Sequence, residues 1–180
     1  MLQIIVPGIE MWDERKGEFS STKDTTLRLE HSLVSLSKWE SKWCKPFFSK
    51  EEKTTEETID YIKCMTLTQN VDPNVYYCLT EENVSQINQY IEAPMTATTF
   101  SKEPGGKVSR EKITNEIIYD WMISLNIPVE FEKWHINRLL TLIKVRSIKN
   151  QPTRKMSQRE IMSRNAELNA KRRKQLNTKG

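Results

Sequence analysis

Two histidines and three cysteines are where chemistry would be sought first in this chain of 180 residues. Imidazole and thiolate are the side chains best suited to proton transfer, nucleophilic attack and metal ligation near neutrality. Cys44 with His31 would make a nucleophile and its base, and His135 with Glu132 an acid–base pair. Neither pairing is accompanied by an evident oxyanion donor or second base. Glu132 stands three residues from His135, an ordinary spacing on a helix surface, and His135 falls on an apolar face beside Trp134 and Leu139. A structural histidine and no catalytic residue are therefore expected. Cys44, Cys64 and Cys78 show no C-x₂-C spacing, and no H-E-x-x-H occurs, so no metal site is expected. Gly105-Gly106-Lys107 lacks the flanking residues of a phosphate-binding loop, and G-x-G-x-x-G is missing, so no nucleotide or other cofactor is expected.

The elements that would position these residues are mostly helical. Short strands are predicted at Gln3–Val6 and Thr25–Glu30, with a third at Glu18–Ser20, from alternation of apolar and polar residues around Gly8 and Gly17. Leu33, Leu36, Glu40 and Trp43 then recur at helical spacing after Ser32, a capping residue, and before Pro46. Thr54 and Glu57 have capping-box spacing ahead of Ile59, Ile62 and Met65. Asp72-Pro73 opens a short helix through Leu79. Thr80 caps another, with Val84, Ile87 and Ile91 inside and Pro94 beyond its end. Met95–Val108 reads as a long loop. Helix restarts at Ser109 with the stripe Ile113, Ile117, Trp121 and Leu125. It resumes near Glu130 with Phe131, Trp134, His135, Leu139, Leu142 and Ile143, making an αα-hairpin about Asn126–Val129. Asn150-Gln151-Pro152 breaks the pattern, and Ser157 with Glu160 starts a last helix at about Gln158–Gln175, with Ile161 and Leu168 as a thin apolar face.

The expected fold is thus mainly α with a small N-terminal β element (α+β). Short strands occupy 1–31 and a helical body 32–149, and a basic C-terminal helix or tail occupies 150–180. The five tryptophans, five tyrosines and five phenylalanines suit a packed core. Trp12, apart in the N-terminal region, and Trp39, Trp43, Phe47, Phe48 and Trp134 are the candidate protein-binding side chains, because aromatic residues anchor interfaces.

Charge is divided unevenly. Lys144–Gly180 holds twelve basic and two acidic residues, a net +10, while the chain before it is −6. Arg154, Lys155, Arg159, Arg164, Lys171, Arg172, Arg173 and Lys174 form a candidate electrostatic arm for nucleic acid or an acidic protein. The arm has no aromatics, so base stacking is not expected of it. No apolar run approaches the length of a membrane span. The first residues have no charged region followed by a long apolar one, and the cysteine count is odd; these point to a cytoplasmic chain with reduced thiols.

Several blocks carry a family resemblance: Ser35–Trp43 with Lys45–Phe48, Asp60–Leu67, and Trp134–Ile143. With the hairpin from Ile118-Tyr119 to Trp134-His135, they resemble tail assembly chaperones of long-tailed (siphovirus-type) bacteriophages and prophages, over most of residues 25–150. The resemblance implies a non-enzymatic role in virion assembly in the host cytoplasm. Such a chaperone coats the tape-measure protein and keeps its apolar helices soluble until the tail tube polymerises around it. The implied partners are tape-measure and tail-tube proteins, with self-association. A second, frameshifted product is common in that family. So basic a tail is not required of a chaperone. It keeps open a structural virion component of the neck, tail or capsid, or a protein contacting nucleic acid.

Overall fold

The computed structural model describes residues 1–8, 10–13, 17–21, 23–100, 112–150 and 157–177, with the backbone alone for 10–13 and 18–21. The fold is mainly α with a small N-terminal β element. It divides into two compact units, Met1–Ser147 and Ile148–Gly180.

In the first unit, β1 (Leu2–Val6) pairs antiparallel with β4 (Thr25–Leu29), Leu2 opposite Leu29 and Val6 opposite Thr25. Alternation puts Ile4, Val6, Leu27 and Leu29 on the buried face and leaves Ile5 exposed. Between them, β2 (Glu10–Asp13) and β3 (Glu18–Ser21) form a separate hairpin, with Trp12 opposite Phe19.

The first two helices follow from their caps. In α1 (Leu33–Trp43), Ser32 and Ser35 cap each other reciprocally, and in α2 (Thr55–Met65) Thr54 and Glu57 do the same. Each box satisfies two N–H groups that a helix start leaves open. Helix α1 ends on Cys44 in the left-handed conformation (φ 51°), before Pro46, which cannot extend it. Leaving α2, the chain runs along β4: Glu30 N–H donates to Met65 O (2.9 Å) and Leu67 N–H to Arg28 O (2.7 Å).

Asp72-Pro73 opens a 3₁₀ turn, Pro73–Tyr77, and Thr80 caps α3 (Glu81–Glu92), which packs on β1. Helix α4 (Asn115–Ser124) packs on α1. A 3₁₀ turn, Val129–Lys133, then leads to α5 (Ile136–Asn150).

Three expectations change here. The predicted stripe Ile113, Ile117, Trp121 and Leu125 is only half-buried, and Ile118 and Met122 are the α4 residues in the core. A strict four-residue spacing drifts around a 3.6-residue helix, so the stripe runs along one flank of the buried face. The second helix of the hairpin begins at Ile136, not near Glu130. Trp134 and His135 are extended because His135 bridges Ser32, and Ile136 N–H donates to His31 O (2.8 Å). A long-range backbone pairing overrides local helical spacing there. Helix was expected from Ser109, but residues 112–114 are not helical and α4 starts only at Asn115 after Thr114; Ser109 itself and the predicted loop Met95–Val108 beyond Phe100 lie outside the described residues.

One core joins strands and helices, and includes Leu27, Leu29, Leu33, Leu36, Met65, Ile118, Ile136 and Leu139. Each such side chain contributes about 1.5–3 kcal/mol by leaving water. The strand region of 1–31 therefore belongs to the same compact unit as the helical body. The second unit holds α6 (Gln158–Leu176), capped by the Ser157–Glu160 box and ended by Asn177 at φ 51°.

Candidate functional site

The two histidines meet inside the body. Their rings are edge to face with centroids 5.0 Å apart, and both are buried. His135 Nε2 lies 2.9 Å from Tyr90 O, a carbonyl that can only accept, so the proton is on Nε2. Nδ1 then accepts from Asn137 N–H (3.3 Å). His31 Nδ1 is bonded to the Tyr61 hydroxyl. The Ser35 hydroxyl donates to Ser32 O (2.8 Å) and lies 3.4 Å from the same Tyr61 hydroxyl. Burial favours the neutral form of both imidazoles. Burial, with His135 alongside, pushes His31 down to about 3. Burial also lowers His135, although its bond to Tyr90 O works the other way. Tyr61 and Tyr90 are both pushed up, by burial first.

The pairings weighed for catalysis are not assembled by this arrangement. Glu132 accepts from the Tyr119 hydroxyl (2.8 Å), while His135 is bonded to backbone groups. Burial, followed by that Glu132 bond, pushes Tyr119 up to about 12. Cys44 is exposed on the α1 C-cap, whereas His31 is buried against Phe47, Tyr61 and His135. Cys44, Cys64 and Cys78 are free thiols, and no group of His, Cys, Asp or Glu among the described residues is arranged to hold a metal ion.

Glu40, the residue that interrupted the apolar stripe of α1, is buried for a reason visible only in three dimensions. One carboxylate oxygen accepts from Phe47 N–H (2.6 Å), the other from Asn115 N–H (2.7 Å) and Asn115 Nδ2 (2.6 Å). Thr114 makes no side-chain cap to α4, so Glu40 supplies that acceptor from another helix. It lies on the wall of an open recess of about 340 Å³ between α1 and α4, with its oxygens already engaged.

The aromatic candidates divide by burial. Trp39 is 1% exposed and donates Nε1–H to Glu57 O (2.9 Å). Phe47 is also in the core, tilted against Tyr61 with centroids 4.2 Å apart. These two build the body. Trp43, half-buried, donates to Asp60 Oδ2 (2.9 Å), and Asp60 also pairs with Lys42. Phe48 is exposed and sits edge-on to Phe47. Trp12 lies on β2. Trp134 is half-buried and stacked on Phe131, centroids 4.2 Å apart and planes at 16°, with Arg138 Cζ 3.9 Å from its ring centroid. Arg138 lies on the first turn of α5, and spacing alone did not single it out.

In the second unit every described residue of α6 is exposed, including Ile161, Met162, Leu168 and Leu176. Arg159, Arg164, Lys171, Arg172, Arg173 and Lys174 lie along it, with Glu160 and Glu167 its acidic residues. Arg154 and Lys155 fall outside the described residues. No helix among the described residues is long and apolar enough to cross a membrane.

No protein-family model, curated protein or solved structure matches the chain.

Proposed function

We propose that this chain is a bacteriophage virion-assembly protein that acts by binding other proteins, as a tail assembly chaperone for the tape-measure protein in the host cytoplasm. The observation that carries the reading is α6, a capped nineteen-residue helix that buries none of its residues. Helices of this kind owe most of their stability to packing of an apolar face. Ile161, Met162, Leu168 and Leu176 fall within an arc of about 120° on a 3.6-residue helix, and all four are exposed. A partner's amphipathic helix pairs with such a face, while the basic residues keep the complex in solution. The body supports a binding role as well, since its histidines are tied to internal partners. The resemblance of residues 25–150 supplies the identity of the partner. Several copies would be needed to cover one long tape-measure chain, so self-association belongs to the reading.

Co-expression with the tape-measure polypeptide of the same gene cluster tests it. The full chain should hold that polypeptide in the soluble fraction, and Ile161→Glu with Leu168→Glu should abolish the effect while leaving the body folded. A tape-measure protein equally soluble with either form counts against the reading. Recovery of the chain from purified mature particles would instead mark a structural component of the neck, tail or capsid.

The exposed run Lys171-Arg172-Arg173-Lys174 favours a second reading, contact with a nucleic acid backbone. Without stacking residues, such contact is electrostatic and falls steeply with salt. A gel shift at low salt that is lost when the four residues are changed to Gln would support it.

A further inference from the structure

Arg138 lies over an aromatic ring, as Lys53, Lys63 and Lys144 also do, but it brings a guanidinium rather than an ammonium. Its Cζ lies 3.9 Å from the Trp134 ring centroid, and Phe131 stacks on the same indole at 4.2 Å. A ring and a guanidinium cannot share one face at these distances, so they cover opposite faces. The guanidinium therefore lies over one indole face while the residue stays exposed. Among the described residues Arg138 has no ion pair and no side-chain hydrogen bond. By contrast Lys42 and Lys45 pair with Asp60 and Glu57, and Lys53 donates to Phe47 O. A stacked guanidinium has already lost much of its freedom, and its N–H edges match the two oxygens of a carboxylate.

We propose that Arg138, on its Trp134–Phe131 shelf, is the docking point for an acidic amphipathic helix of a protein partner. One Asp or Glu of that helix takes two parallel N–H···O bonds from the guanidinium. Leu142 and Val145, half-buried and four and seven residues on, lie on the same face of α5 and receive the partner's apolar side chains. The surroundings favour a single carboxylate over a polyphosphate backbone. Leu142 and Val145 give a phosphate backbone no charge to pair with, whereas a helix can pack apolar side chains there beside its carboxylate. The site does not depend on α6 and holds for any partner of this chemistry.

The test uses the full chain with Lys171, Arg172, Arg173 and Lys174 changed to Gln, which removes the competing basic run. The probe is a synthetic helix of about 20 residues built from Leu and Glu, long enough to form the groove-binding geometry. Oligothymidylate and a Leu/Lys helix are the comparisons. The readout is the NMR signals of the Arg138 Nε–H and Trp134 indole N–H, assigned with Arg138→Lys and Trp134→Phe. The Leu/Glu helix should shift both signals saturably. Arg138→Lys, which keeps the charge and loses the planar fork, should weaken binding about tenfold or more, while exposed Lys133→Gln should change it less than about twofold. An unchanged denaturation midpoint for Arg138→Lys shows that the loss is not one of folding. The proposal fails if neither signal moves, if Arg138→Lys binds as tightly as the parent, if the Leu/Lys helix binds equally, or if oligothymidylate moves the Arg138 signal instead.

Discussion

The body, Met1–Ser147, and helix α6 use the same chemistry of caps and charges to opposite ends. In the body, no buried side-chain nitrogen or oxygen among the described residues lacks a hydrogen-bond partner. Its polar groups reach across long stretches of chain: Glu40 to Asn115, Trp39 to Glu57, His135 to the Tyr90 carbonyl. In α6 nothing is buried, and the features that hold the helix are local, namely the Ser157–Glu160 box and the Asn177 cap. The body is therefore fixed by tertiary contacts and tolerates little change. Helix α6 is marginal by itself and gains most from a partner.

The largest expected effect comes from emptying the body's core. Trp39→Ala removes a buried indole and strands the Glu57 carbonyl, and should cost about 3–5 kcal/mol. The urea midpoint measured by tryptophan fluorescence checks this, while far-UV signal assignable to α6 should persist. Glu40→Ala leaves three N–H donors without their acceptor, two of them backbone groups. A loss of about 3 kcal/mol is expected, with fluorescence and amide signals near Asn115 moving most. A midpoint unchanged by Glu40→Ala would mean that α4 does not depend on its borrowed cap.

Acid should act next, and on the body alone. His31 and His135 are held neutral when folded and take up protons freely when unfolded. Their contribution to stability is thus complete above about pH 6.5 and is lost as the pH falls below it. For His31 the loss continues down to about 3, where the folded ring itself protonates. While the folded ring stays neutral, each pH unit below 6.5 costs about 1.4 kcal/mol, so pH 4.5 should cost about 2–3 kcal/mol through His31. Urea midpoints at pH 7 and 4.5 check the slope, and a His31→Gln chain should show a shallower one. Smallest is Ser157→Ala, worth about 1 kcal/mol of local helix stability. It should lower α6 helicity and leave the body's midpoint where it was.

The same division governs what was legible in the sequence. Ser32, Thr54, Thr80 and Ser157 all cap as their spacing predicts, because a cap is decided within four residues. Strands β1 and β4 fall close to their predicted bounds, since alternation is also local. Trp134 and His135 have spacing that suits a helix. Their extended conformation depends on Ser32 and His31, far away in the chain. Glu40 looked like a flaw in an apolar stripe, and only the folded position of Asn115 gives it a purpose. At the candidate site, Trp134 was picked out by residue type. Arg138 was not, because stacking on an indole leaves no trace in composition or charge count.

Hydrogen exchange of the full chain, with and without the proposed tape-measure partner, addresses the contrast most directly. Body amides on α1, α2 and α5 should be protected throughout. Amides of α6 should exchange within about a hundredfold of an unfolded chain in the free protein and slow markedly in the complex. Protection of α6 equal to that of α1 in the free protein, or no slowing with the partner, would contradict the account.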